Sequence, residues 1–364
     1  MKRHTVPWRK LAVLIPAALL GAAGGYFFMW ALDPYGMTVL LPSLACLILS
    51  FWLQAILHEG GHLVCGLLSG YRFLSFRVGS FTLLRQNGRL VLRRFYLPGT
   101  GGQCLLEPPD GDEVPFRLYN LGGGLANLLS ALAAALTAFL LPFPWPVFLL
   151  IFAAAGLFLG AVNLIPLSMD GVANRSPQAR RTFALQLRCH ALLQRGIPLR
   201  DQPARWFQLP QDLEPQDPFT AAALSFLPSR LMDQGDLSGA EAAFRTLLDV
   251  PSGLLDIQRW DLTVDLLSCS LLLGRSQEEL APLRTPALLH YCKATRKFTP
   301  STSRMEFLWA LLAQRDPEAA LLSWRQFQRC APRWPYPATL DTDRRLMELG
   351  LQRAQGQGFP LPPL

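Results

Sequence analysis

The sequence predicts an α-helical polytopic membrane protein, with about four transmembrane helices and a cytoplasmic β-hairpin, joined to an all-α, solenoid-like C-terminal domain. Three observations predict it. Of 364 residues, 51% are hydrophobic and only 16% are charged, where about 25% is usual for soluble domains. The long apolar runs all fall in the first half of the chain. Beyond them the pattern turns to ordinary amphipathic helix periodicity. The boundary is set at 172, giving a membrane-embedded domain (1–172) and a cytoplasmic helical domain with a flexible tail (173–364).

The first span covers residues 11–32, which at 1.5 Å per residue cross a hydrocarbon core of about 30 Å. Lys2, Arg3, Arg9 and Lys10 precede it. A cleaved signal peptide is the alternative, with small residues at 21–24. The apolar run through Trp30 favours a retained span. A turn at Asp33-Pro34-Tyr35-Gly36 leads into a second span, 37–68, long enough to cross and protrude. Residues 70–117 then carry seven arginines, against no Lys or Arg between 33 and 71. That asymmetry puts this loop, and with it both termini, on the cytoplasmic side of a cell membrane. Within the loop, residues 73–84 and 89–96 are rich in β-branched and aromatic types. Gln86-Asn87-Gly88 between them signals a hairpin over about 73–96. Residues 99–102 and 107–112 read as loop. The third span is 119–141, opened by glycines that let another backbone approach, with Asn127 expected to hydrogen-bond inside the protein. The fourth is 145–167, ended or bent by Pro166. After 172, residues 219–234, 237–249, 257–273, 303–314 and 317–329 are helical, with Gly235-Asp236 and Arg315-Asp316 as helix punctuation. No strict repeat is visible.

Net charge is +8, and only four of the 34 basic residues are Lys. The positive-inside pattern accounts for the excess, so nucleic acid is not an expected partner. Seven Cys with no C-x-x-C pair exclude a disulfide framework or a cysteine-rich metal site.

One motif stands out in the second span: His58-Glu59-Gly60-Gly61-His62. On a helix, positions i and i+4 share a face, so both imidazoles aim at one point, as two nitrogen ligands of a tetrahedral Zn²⁺ do. Glu59 is the neighbouring candidate general base. Ionisable groups in an apolar segment are costly and are functional by default. Asp170 falls at the cytoplasmic end of the fourth span, at the depth expected for the two histidines. It reads either as a helix cap or as the third ligand, and catalytic zinc sites typically use three protein ligands plus water. His190 and His290 read as ordinary packing or surface residues.

Together these residues resemble the site-2 protease family of intramembrane zinc metallopeptidases. That family carries H-E-x-x-H in one membrane helix and N-x-x-P-x-x-x-x-D-G in a later one, here His58–His62 and Asn163, Pro166, Asp170 and Gly171. The resemblance covers roughly 10–172. A third element, Gly123-Gly124-Leu125-Ala126-Asn127, has Gly124 where the family has Pro, and Met169 stands where Leu precedes the Asp. The resemblance implies that His58, His62 and Asp170 bind Zn²⁺ and that Glu59 is catalytic. It implies that Asn163 holds the substrate chain, and that the hairpin receives an unwound, membrane-anchored protein or peptide substrate. The implied activity is endopeptidase cleavage near the cytoplasmic surface of the lipid bilayer. The alternative is an inactive membrane scaffold whose helical C-terminal domain recruits a protein partner. A solute transporter would show inverted repeats of broken helices, and none is evident.

Overall fold

The computed structural model describes residues 36–86, 88–94, 101–110, 114–164, 177–208, 213 and 215–359, with Gly25, Tyr26, Trp30 and Asp33 before them. The expected first span lies outside these residues apart from its isolated positions. Among the described residues, three helices are long and apolar enough to cross a membrane: α1 (Met37–Leu68), α2 (Phe116–Ala138) and α3 (Trp145–Leu164). Thirty-two residues make α1 about 48 Å long, more than the hydrocarbon core requires.

The chain divides into two compact units, Met1–Gln54 with Asn127–Leu159 and Ala55–Ala126 with Gly160–Leu364. This division cuts across the three helices, whereas composition changes near 172. In the first unit the helices are tied by polar groups. Asn127 Nδ2 donates to Gln54 O at 2.8 Å and to Gln54 Oε1 at 2.7 Å. Gln54 Nε2 donates to the Phe152 carbonyl at 3.4 Å. Both Gln54 and Asn127 are fully buried, and hydrocarbon offers such groups no other partner.

In the second unit, α1 is followed by a four-stranded antiparallel sheet of order β3-β2-β1-β4. Its strands are β1 (Arg72–Val78), β2 (Phe81–Gln86), β3 (Arg89–Arg94) and β4 (Gly102–Glu107). The expected hairpin is present as β2–β3, with Gln86 opposite Arg89 in its register. Two corrections follow. The stretch 73–84 is two strands, because Gly79 adopts φ +58° and turns the chain between Val78 and Phe81. The stretch between the expected loops 99–102 and 107–112 is a strand, β4, which takes in Gly102 and Glu107 from them and pairs with β1. The β1–β4 register slips at Leu74, a one-residue bulge. The carbonyl of the bulged Leu74 accepts a hydrogen bond from Gln194 Nε2 at 3.1 Å.

The larger remainder is all-α: α4 (Pro177–Gln194), α5 (Pro218–Leu224), α6 (Phe226–Gln234), α7 (Leu237–Asp249), α8 (Asp256–Leu273), α9 (Gln277–Leu280), α10 (Pro286–Thr295), α11 (Pro300–Leu308), α12 (Pro317–Cys330) and α13 (Pro337–Gly356). The expected helix 219–234 is broken at Ser225, which closes α5. Both punctuation pairs act as read. Gly235 ends α6 at φ +89°, and the Asp236 side chain caps α7 by accepting from Gly239 N. Arg315 (φ +55°) precedes Asp316, which caps α12. The main core lies among α7, α8, α11 and α13, around Phe244, Leu266, Leu267, Phe307 and Met347. Arg304 sits inside it, 2% exposed, and ion-pairs with Asp265 and Asp343.

Candidate metal centre

The site is built on the second half of α1. His58 and His62 are one turn apart, with ring centroids 4.7 Å apart and planes at 88°. Their Nε2 atoms are 3.1 Å apart. Two nitrogens bound to one tetrahedral zinc at 2.0–2.1 Å stand about 3.3 Å from each other, so the pair already has the spacing a shared ion requires. The tautomer is fixed as well. His62 Nδ1 lies 2.8 Å from the Tyr119 carbonyl oxygen, which can only accept. Nδ1 therefore carries the hydrogen and Nε2 presents its lone pair toward His58.

The first turns of α2 supply the other side. Tyr119 holds His62 through its backbone, and its hydroxyl donates to the Cys104 carbonyl in β4 at 2.9 Å. Its ring stacks on Tyr71 at 4.8 Å, fixing the start of α2 against the end of α1. One turn on, Gly123 leaves the room the imidazoles occupy. A Cβ there would stand 2.5 Å from both His58 Cε1 and His62 Nε2. Gly61 and Gly122 make the helix crossing itself, since a Cβ on either would strike the other's carbonyl oxygen within 2.4 Å.

Glu59 turns toward the sheet. A Cβ at Gly102 would lie 2.6 Å from Glu59 Oε1, so the carboxylate rests against the first residue of β4. Arg77, 2% exposed, also meets Gly102. Arg77 Nη1 donates to Gly79 O at 3.0 Å and Nη2 to Gly102 O at 3.4 Å. Burial lowers the Arg77 pKa, and the negative charge of Glu59 is the larger of the influences that oppose this. Burial, and then Glu59, push the Cys104 thiol up, so it stays protonated.

Asn163 lies on the last turn of α3, half-buried. Its neighbour Leu164 packs on Gly124, where a Cβ would meet Leu164 Cγ at 2.6 Å. The end of α3 is thereby placed one residue from Gly123 in α2. Asp170 lies outside the described residues. Five residues separate it from Leu164, six Cα steps whose extended reach is at most about 20 Å. Among the described residues, no group of three or more His, Cys, Asp or Glu is placed to hold a metal. The described donors are the two imidazoles, and their spacing, the His62 tautomer and the glycine-lined recess fit Zn²⁺. His190 is a packing residue, its ring against Phe226 and Tyr336 and its Nδ1 donating to Gln186 O.

Sequence reasoning missed Tyr119, Gly102 and Arg77, and placed Gly123 in a membrane-helix element without relating it to the histidines. The run of three glycines at 122–124 was a visible signal of close helix approach, but its relation to the histidines was not. A scan against protein-family models, a search of curated proteins and a search of solved structures each return no match.

Proposed function

We propose that this chain is an intramembrane zinc metalloendopeptidase of the site-2 protease type, hydrolysing a peptide bond in a membrane-anchored protein or peptide. The observation that carries the reading is the 3.1 Å approach of His58 and His62 Nε2 on an apolar spanning helix, with Glu59 in the same turn. His58, His62 and Asp170 would hold the ion. When bound, Zn²⁺ lowers the pKa of water to about 7 and polarises the scissile carbonyl.

The chain's own residues supply the rest. The Glu59 carboxylate takes a proton from the attacking water and delivers it to the leaving nitrogen. Tyr119 keeps the His62 lone pair aimed at the centre. A substrate helix hides its carbonyls in its own hydrogen bonds and must unwind to react. Strand addition restores the lost bonds. β4 ends the sheet on one side and touches Glu59 through Gly102, so a segment paired along β4 would pass beside the carboxylate. Asn163, on α3, is proposed to hold that segment. On the β2–β3 hairpin, Phe81, Leu90 and Leu92 are 53–66% exposed, an apolar surface suited to a substrate emerging from lipid.

The test is mass spectrometry of membrane peptides from cells carrying the wild-type chain or Glu59→Gln, with zinc content measured on both purified proteins. The reading predicts cleavage products only with the wild type and about one zinc per chain in each. Equal products from both would overturn the protease reading and favour a scaffold role for the helical domain.

A further inference from the structure

The strongest feature the proposed chemistry does not use is a basic cavity where the sheet meets α4. It has a volume of about 510 Å³, and Arg72, Arg188, Arg195 and Arg205 line it together with Glu107 and Asp110. Four guanidinium groups face two carboxylates. Arg72 pairs with Asp110 at 3.1 Å, but the Asp110 side chain is 98% exposed, so water screens that pair. Arg195 pairs with Glu107, and Arg188 Nη2 donates to the Pro109 carbonyl at 3.5 Å. Arg205 is exposed at the rim. Arg72 and Arg195 also wall an adjoining cavity of about 420 Å³, to which Arg85 contributes a fifth guanidinium. All five are Arg. The planar fork of Arg matches phosphate oxygens two at a time, which a lysine ammonium does not.

The cavity's place in the chain says which phosphate. Arg72 follows the end of α1 by four residues. The connection is held tight: Gly70 turns at φ +84°, and the Tyr71 amide donates to Gly66 O at 3.0 Å. The last residues of α1 are apolar and outward, with Leu67 48% and Leu68 75% exposed. Trp206, a residue type suited to the membrane–water boundary, also lines the cavity. A ligand whose phosphate sits among these arginines lies four residues along the chain from exposed apolar side chains.

We propose that this cavity binds the headgroup of an anionic phospholipid, fixing the sheet and the C-terminal end of α4 at the membrane surface. The inference does not depend on the zinc reading.

The test is native mass spectrometry of the full chain released from micelles holding equal amounts of phosphatidylglycerol and phosphatidylcholine. The wild type is expected to retain phosphatidylglycerol and lose phosphatidylcholine. The Arg188→Gln/Arg205→Gln double variant should retain roughly 30-fold less, at about fivefold for each arginine near an anionic surface. Arg205→Gln alone, at an exposed position, should show the smaller step with unchanged thermal unfolding. Millimolar glycerol phosphate should not displace the lipid from the wild type, a measurement that needs no variant. Equal retention of both lipids, or undiminished retention by the double variant, would overturn the proposal. Displacement by glycerol phosphate would overturn the lipid assignment in favour of a soluble phosphate ester.

Discussion

His62 is held by Tyr119 through a backbone carbonyl, Nδ1 to O at 2.8 Å, and this bond decides which ring nitrogen is left to bind an ion. It comes from a different helix, so the geometry of the α1–α2 crossing is built into the centre. Anything that shifts the crossing shifts the lone pair.

Gly123 is the first place to test this. With a methyl group at 123, His58 and His62 cannot both keep their positions, because the new carbon would stand 2.5 Å from each ring. Gly123→Ala is expected to lower zinc affinity by about tenfold or more, the scale of losses seen when the groups supporting a metal ligand are disturbed. Competition with a chromophoric chelator measures it. Wild-type affinity in that variant would place the ion elsewhere.

Gly102 offers a test that distinguishes the proposed metal binding from the proposed proton transfer. Its absent side chain leaves room for the Glu59 carboxylate. Gly102→Val should displace Glu59 and lower kcat by about 10² or more, the usual range for loss of a positioned base. Zinc content should be unchanged. Unchanged kcat, or a loss of zinc in this variant, would contradict the assigned roles.

Arg304 tests the helical region. It is buried between Asp265 and Asp343. Arg304→Met leaves two carboxylates without their cation and is expected to cost about 3–5 kcal/mol. Chemical denaturation of the full chain should show it, with the fluorescence of the core's Trp309 as the probe.

Asp261 predicts a pH dependence. Burial pushes its pKa up to about 7; the Tyr291 hydroxyl bond opposes this and Asp265 adds to it. An unfolded Asp titrates near 3.9. Between pH 4 and 7 the native chain therefore binds more protons than the unfolded chain, so stability falls as pH rises through this window and then levels. Asp343, raised by burial to about 6, acts in the same direction. Asp261→Asn keeps an acceptor for Tyr291 but has no charge to bury. Its melting temperature should exceed that of the wild type at pH 8 and differ little at pH 4. Parallel curves for the two proteins would contradict the assignment.

What the sequence made legible follows from local rules. Met37–Leu68 is apolar all round, and the His58–His62 spacing is a helix period. Asn87-Gly88 marks a hairpin, and the Gly235-Asp236 and Arg315-Asp316 pairs are helix end and cap. These signals need only a few neighbouring residues. What was missed depends on distant contacts. β4 carries a short apolar run between glycines and prolines, and only its pairing with β1 makes it a strand. Leu74 is a bulge because of a register, not a residue type. Arg77 reads as one of seven loop arginines, yet it is buried beside Gly102 and Glu59. Tyr119 acts on His62 through a carbonyl, which every residue possesses, so no side-chain pattern announces it.

The account rests on two imidazoles and the Asp170 carboxylate meeting at one ion. X-ray absorption at the zinc edge of the purified, metal-loaded chain measures that most directly, compared with Asp170→Asn. The prediction is two imidazole nitrogens at about 2.0–2.1 Å with light-atom oxygen neighbours and no sulfur, and an oxygen shell altered in the variant. Zinc held by thiolates at about 2.3 Å, or a spectrum unchanged by Asp170→Asn, would contradict it.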